Sequence, residues 1–399
     1  MQDFIPRRIN GLENLERFVA RAGRDYERTR NFDFGASNRS NVSGLSPWLR
    51  HRLISEEEVL ERVLAVHSLS AAEKFVQEVC WRTYWKGWLE QRPQVWRSYR
   101  EQAGAVELDR TTQTQLNNAH SGTTGIRCFD HWCDELVSTG YLHNHARMWF
   151  ASIWIFTLRL PWFLGADFFM RNLVDGDAAS NTLSWRWVAG LQTVGKTYLA
   201  REDNIAKFTD GRFPRTPDLV HEALPVTETK VLAPQMPTVQ LPKKVPGARL
   251  ITDDDLMPHD FGPDVELIDD ALILDSAASR SPNDVGEVVK AFVAGALEDA
   301  QDRLGPAQIV RCSEDYEQVA QTIAGWCREH DVKQLVSSYV PVGPSQDVLL
   351  HLTPFLQEHD IVLSQVMREW DSDAWPFATK GFFNFKKNIP ALLERRGVT

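Results

Sequence analysis

Residues 173–190, LVDGDAASNTLSWRWVAG, place two aspartates around a glycine, an asparagine one helical turn after the second, and two indoles just beyond. An isolated DGD is more often a turn or a helix cap than a site. Its neighbours give it weight. Residues 139–161, TGYLHNHARMWFASIWIFTLRLP, read as a helix that Thr139 and Gly140 open and Pro161 stops, with Asn144, Arg147 and Met148 on one face. In 70–93, SAAEKFVQEVCWRTYWKGWLEQRP, Glu78, Trp81, Arg82 and Trp85 recur at i, i+3, i+4 and i+7, so a carboxylate and a guanidinium share a stripe with two indoles. Charged groups seldom line a buried face unless they are paired or meet a polar ligand. For any one of them a structural ion pair is the plainer reading.

Working outward, the periodicity predicts helices over roughly 55–66, 70–90, 127–138, 139–159 and 166–174. Eleven of the 14 tryptophans precede residue 190, which marks that part as the aromatic one. Between Pro225 and Pro246 five prolines interrupt a stretch with no apolar period, as an extended connector would. Beyond it, the short runs ALILDS, AQIVRC, KQLVSSY and DIVLSQV alternate with amphipathic segments at 284–303 and 314–330, which argues for a parallel sheet covered on both faces. The charge balance also changes: residues 1–245 hold 31 Lys and Arg against 28 Asp and Glu, whereas 246–399 hold 13 against 26. The expected division is 1–224 all-helical, 225–246 linker and 247–399 α/β. No apolar run reaches the roughly 18 residues that a membrane helix needs, and the five cysteines lack paired spacing, so a cytoplasmic protein with packed thiols and no metal is expected.

The segments TGYLHNHARM and LVDGDAASNTLSWRW, preceded in order by DYERTRN, SGLSPWLRHRLIS and EVCWRTYW, resemble the flavin-binding core of the cryptochrome and DNA photolyase superfamily. The resemblance runs from about residue 10 to about 215. It implies a mainly α FAD-binding domain followed by a Rossmann-like, antenna-type α/β domain. It also implies that Tyr26 and the Ser43, Gly44, Leu45, Ser46 loop hold the FAD pyrophosphate. Arg147 and Asp175 would pair beside the isoalloxazine, Asp177 and Asn144 would bind the folded cofactor with Gly176 between the aspartates, and Asn181 would face flavin N5. Glu78 and Arg82 border the same site.

The implied chemistry is light-driven electron transfer from reduced flavin to a cyclobutane pyrimidine dimer in DNA. Glu78 would hydrogen-bond the flipped lesion, Trp81 and Trp187 would stack on it and Met148 would pack beneath it. Arg30, Arg82, Asn144 and His145 would lie toward the DNA, with His145 standing where repair enzymes commonly carry arginine. The family's photoreduction relay would use Trp185 and Trp162. Its third indole would fall in the segment 105–115, which has no aromatic residue, so the relay would end early or detour through Trp96, Trp132 or a tyrosine. A blue-light photoreceptor without repair is the alternative, and a flavoprotein without photochemistry the third.

Photolyases ordinarily begin with the antenna domain, so this order implies a circular permutation. GARLITDDDLMPHDF resembles the family's first-strand motif and FATKGFFNFKKNIPALL its closing segment. Because Asp253, Asp254 and Asp255 replace the arginines of that first motif, an antenna chromophore is expected to be absent or atypical. The acidic C-terminal part would instead offer a surface to a protein partner.

Overall fold

The computed structural model describes residues 4–398 apart from 217, 229, 230, 258 and 264. Its first part is helical: Arg8–Val19 (α1), Arg24–Thr29 (α2), Ser46–Arg50 (α3), Glu56–Leu64 (α4), Glu73–Glu90 (α5), Gln94–Ala105 (α6), Arg110–His120 (α7), Arg127–Thr139 (α8), Asn144–Ser152 (α9), Trp162–Asn172 (α10), Ala178–Val188 (α11) and Glu202–Phe208 (α12). Local chemistry sets these limits. Ser55 and Glu58 form a reciprocal capping box at the start of α4, satisfying two orphan N–H groups. The expected helix from 139 begins instead at Asn144, because Gly140 takes a left-handed conformation (φ 67°) and ends α8. The following turn is closed by His143 Nδ1, which accepts from the His145 N–H at 3.1 Å. Beyond α9 the chain widens into a π-helical stretch, Ile153–Thr157, and α10 starts directly after Pro161.

The second part is a five-stranded parallel sheet, Gly247–Thr252 (β1), Leu267–Asp275 (β2), Ala307–Arg311 (β3), Gln334–Ser338 (β4) and Val362–Val366 (β5), in the order β3-β2-β1-β4-β5. The helices Glu287–Leu304 (α13), Tyr316–Glu329 (α14), Pro344–Glu358 (α15), Glu369–Ala374 (α16), Phe382–Lys386 (α17) and Ile389–Arg395 (α18) complete it. Leu250, Leu272, Leu274 and Leu335 meet Val319, Ile323, Val348 and Leu352 of α14 and α15 in one core. On the other face, Ile251 and Ile273 join Val289, Val293 and Leu297 of α13 in a core continuous with the helical part. The fold class read from the sequence is thus the observed one: a helical part followed by a parallel sheet covered on both faces. Among the described residues, 219–246 contains no helix or strand. This stretch is stitched to both parts: the Gln235 N–H donates to Gln91 O at 3.0 Å, and the Gln365 N–H to Gln240 O at 2.9 Å.

The seam between the parts is ionic and buried. Arg50 donates to Asp254 at 2.6 Å and, through Nε, to Gly176 O at 2.8 Å. Arg52 grips Asp371 with two bonds of 2.9 and 2.7 Å and lies 3.3 Å from Asp255. His51 is fully buried and neutral, since burial and then Arg50 and Arg280 press its pKa well down. Its Nδ1 donates to Asp253 O at 2.5 Å, and Nε2 accepts from Arg280 at 3.2 Å, the tautomer that an arginine donor requires. The three aspartates after β1, which stand where the resemblance expects the antenna motif's arginines, are buried. They neutralise Arg50, Arg52 and Arg280 inside the molecule.

α5 runs through the middle of this seam, and its buried residues include the polar Thr83, Lys86 and Glu90 beside apolar ones. Gly87 is required there: a Cβ would stand 2.7 Å from Trp375 and 3.0 Å from Ala378. Near its end, buried Glu90 accepts from the Tyr339 hydroxyl at 2.8 Å and from the Val342 N–H at 2.5 Å. Burial outweighs both bonds and pushes its pKa from 4.5 up to about 7. The folded state thus keeps a proton that the unfolded chain releases earlier, so this contribution is full below about pH 4.5 and lost as pH rises through about 7, by about 3 kcal/mol. Denaturant titrations between pH 4.5 and 7.5 should show that decline in the wild type and a flatter profile in Glu90→Gln. Equal slopes would refute the assignment.

At the outer end of α4, Arg8 donates to Glu58 at 3.1 Å and Arg396 donates to Glu57 at 2.8 Å. Both ends of the described chain therefore meet on one helix turn.

Candidate functional site

Asp177 is the N-cap of α11, accepting from the Ser180 N–H at 2.8 Å. Its other oxygen receives Arg82 at 3.1 Å and Lys86 at 3.3 Å, both from α5. Burial pulls this carboxyl upward, but Lys86, Arg82 and Arg50 together hold it far below the usual carboxylate range. Lys86 and Arg50 were missed from sequence. Lys86 follows Arg82 by four residues, which is the one signal that could have found it.

Two residues away, Asp175 Oδ2 accepts from Arg147 at 2.8 Å and from Ser46 Oγ at 2.5 Å. Its Oδ1 is buried and has no hydrogen-bond partner among the described residues. This one carboxylate unites the 43–46 turn, α9 and the DGD turn. Gly44 makes the turn with φ 61°, Asn14 donates to Ser43 O at 2.7 Å, and Leu45 is buried beneath. Tyr141 lies under Arg147 at 5.1 Å and under Arg39 at 4.5 Å. Arg39, paired with buried Glu135 at 2.8 Å, carried no periodic or motif signal.

Asn181 is buried on α11, and its Nδ2 donates to Ala166 O at 2.8 Å. That bond fixes the amide orientation, because a carbonyl only accepts. Tyr26 packs edge-on against Phe18 and Phe75, and burial keeps its phenol protonated. Arg30 and Glu78 form an ion pair with each other. Burial raises the Glu78 pKa although Arg30 opposes it.

The remaining candidates are more dispersed. Trp81 stacks face to face on Phe382, centroids 3.7 Å apart and planes 11° apart, while Trp187 stacks on Tyr198 at 5.5 Å. The two rings expected to flank one ligand thus each cover a ring of another segment. Asn144 is exposed at the start of α9 and Met148 is half-buried. His145 lies on Trp149 at 4.1 Å with Nδ1 2.9 Å from Asn31 O. Burial lowers its pKa, so at neutral pH it offers no charge to a phosphate.

Trp185 is buried against Phe169 at 5.1 Å and Trp154 at 6.1 Å. Gly165 permits this, since a Cβ there would lie 2.2 Å from the Trp185 ring. Trp162 stacks on Tyr99 at 6.0 Å, and Tyr99 lies 5.2 Å from Trp96. The Trp96 indole N–H donates to Asp347 at 2.8 Å. The aromatic-free segment 105–115 runs from the end of α6 into the first turns of α7.

Residues 75–213 match the family model described as the FAD binding domain of DNA photolyase. A deoxyribodipyrimidine photo-lyase of Streptomyces griseus is 36% identical over 38% of this chain and 33% of its own length. One from a Synechococcus strain is 30% identical over 46% of this chain and 39% of its own. The chain thus spans a third to two fifths of the length of these relatives. A bacterial class III photolyase structure from Agrobacterium tumefaciens matches 51% of this chain and 42% of its own at 27% identity, TM-score 0.44. Among the described residues no helix is long and apolar enough to cross a membrane. Residues 75–213, with their paired aspartates and inward-facing arginines, are thus similar to the FAD binding domain of DNA photolyase.

Proposed function

We propose that this chain binds FAD between the 43–46 turn, α5, α9 and α11, and uses it for light-driven repair of cyclobutane pyrimidine dimers in DNA. The observation that carries the reading is Asp175: its Oδ2 is held by Arg147 and Ser46, while its buried Oδ1 lacks a donor. A polar ligand with an N–H or O–H suits that oxygen, since an unmet buried acceptor costs about 1–3 kcal/mol. When bound, FAD supplies a photoexcitable electron carrier. Asn181, with its Nδ2 committed to Ala166 O, keeps its carbonyl oxygen for a protonated flavin N5. Arg147 balances negative charge beside Asp175, and Tyr26 and the 43–46 turn border the pyrophosphate.

For electron supply, Trp185 and Trp162 would be the first two members, and Tyr99 and Trp96, which follow Trp162 in steps of 6.0 and 5.2 Å, would take the place of the absent third indole. Asp347 at the Trp96 N–H favours positive charge there. The sheet is structural rather than light-harvesting. In open α/β sheets ligands sit beyond the carboxyl ends of the strands where the order reverses, here between β1 and β4. Arg50 and His51 reach the aspartates that follow β1.

A photoreceptor without repair is the second reading. It is favoured by the stacking of Trp81 on Phe382 and the Arg30–Glu78 pair, which engage lesion-side groups within the chain. The test is to irradiate reduced holoprotein with a dimer-containing oligonucleotide while recording its absorbance. Dimers that disappear with flavin spectrum restored support repair; unchanged dimer counts with demonstrably reduced flavin refute it.

A further inference from the structure

The region following the sheet carries a surface that neither the flavin site nor the core accounts for. Within the acidic stretch 246–399, five of the 13 basic residues fall between 380 and 396, with Glu394 as the one acidic residue among them. The sequence KGFFNFKK, 380–387, sets phenylalanines between lysines. Phe382 and Phe385 are buried, 4% and 1% exposed, whereas Phe383 is 78% exposed. Lys380 and Lys387 are exposed on either side of it.

A single exposed phenylalanine is ordinary on a protein surface. This one is presented by a pinned segment. The Tyr84 hydroxyl donates to Lys380 O at 2.8 Å, Arg92 donates to Thr379 O at 2.7 Å, and Lys386 pairs with Glu73 at 2.8 Å. Phe382 is clamped flat on Trp81. The backbone just before Phe383 is therefore held by Tyr84 and Arg92, and Phe382 and Phe385 on either side of it are buried, so little ordering entropy remains to oppose a ligand stacking on the ring.

We infer that α17 is a binding surface for single-stranded DNA: Phe383 stacks on an unpaired base while Lys380 and Lys387 meet the flanking phosphates. An aromatic face between cations is the chemistry that holds an unpaired strand without regard to sequence. Lys386, Arg395 and Arg396 are paired with Glu73, Asp373, Glu57 and Glu369, whereas Lys380 and Lys387 have no ion-pair partner among the described residues; their charge favours a polyanion, and one ring is too little apolar area for a lipid surface. The inference rests on the proposed DNA reading for the kind of strand, and it adds a contact on the α/β part beside Trp81.

The test uses full-length holoprotein in the dark with fluorescently labelled oligothymidylate, followed by anisotropy at several salt concentrations. Phe383→Ala is expected to weaken binding about tenfold. Lys380→Glu with Lys387→Glu is expected to reduce the slope of log affinity against log salt by about 1.4, the value for two lost single-strand phosphate contacts. All three positions are exposed, and unchanged melting curves establish that the variants fold. Wild-type affinity in Phe383→Ala together with wild-type slope in the lysine variant overturns the inference. An undamaged strand in the dark requires no photochemistry, so a failure of dimer repair leaves this result standing, and a failure here leaves repair untouched.

Discussion

Asp177→Ala is expected to lower the unfolding free energy by about 3–5 kcal/mol, the range for removing one partner from a buried ionic cluster. The carboxylate receives Arg82 and Lys86 and caps α11. Without it two cations face each other in a buried space, and the loss of the cap adds about 1 kcal/mol. The comparison should be made by urea unfolding of the flavin-free protein, so that lost cofactor binding does not enter the result. The pH dependence supplies an independent check. A carboxyl whose folded pKa is depressed contributes stability that is present above its unfolded pKa, 3.8, and lost only as pH falls through the folded value. The gap between variant and wild type should therefore be constant from about pH 5 to 8 and close in stronger acid. A loss below about 1 kcal/mol would show the cations to be solvated in the folded state.

Arg52→Met is expected to cost a similar amount, about 3–5 kcal/mol, by a different route. Its guanidinium is shared by Asp371, Asp255 and Glu56, on three separate segments. Burial already raises the Asp371 pKa while Arg52 opposes it, so in the variant the Asp371 carboxyl should be raised further. Adding Asp371→Leu removes the stranded carboxylate, and the double variant should recover part of the loss. A strictly additive pair would mean that the two side chains do not interact. Limited proteolysis within 219–246 reports the same event from another side, since loosening the seam frees the Gln235 and Gln240 backbone contacts.

Much of this architecture is readable from residue order. Four of the five strands beyond the connector, β2 to β5, are short β-branched runs set between helical segments, and each appears within a few residues of its expected place. Asp175, Asp177, Arg82 and Arg147 stand in motifs, so their proximity is legible in the pattern, whereas Lys86 and Arg50, which complete the charge balance at Asp177, are not picked out by it. Other features depend on residues hundreds of positions apart. The triple aspartate at 253–255 reads from sequence only as a loss of the antenna motif's arginines, and its role appears when Arg50, His51 and Arg52 are seen against it. Trp81 has the spacing of a ligand-facing indole, yet its stacking partner, Phe382, lies 301 residues further on. The helix boundary at 140 was misplaced for a local reason: a glycine can end one helix in the left-handed region as readily as it can precede another.

The meeting of Arg8 and Arg396 on adjacent glutamates of α4 bears on the order of the two parts. A short peptide tying those two extremities, with a break opened in the proline-bearing connector, would yield a polypeptide that synthesises its sheet before its helices. Every clasp between Arg50, Arg52 and their carboxylates would be untouched. Which half leaves the ribosome first is then a question of where the backbone is severed, and the finished architecture is indifferent to it.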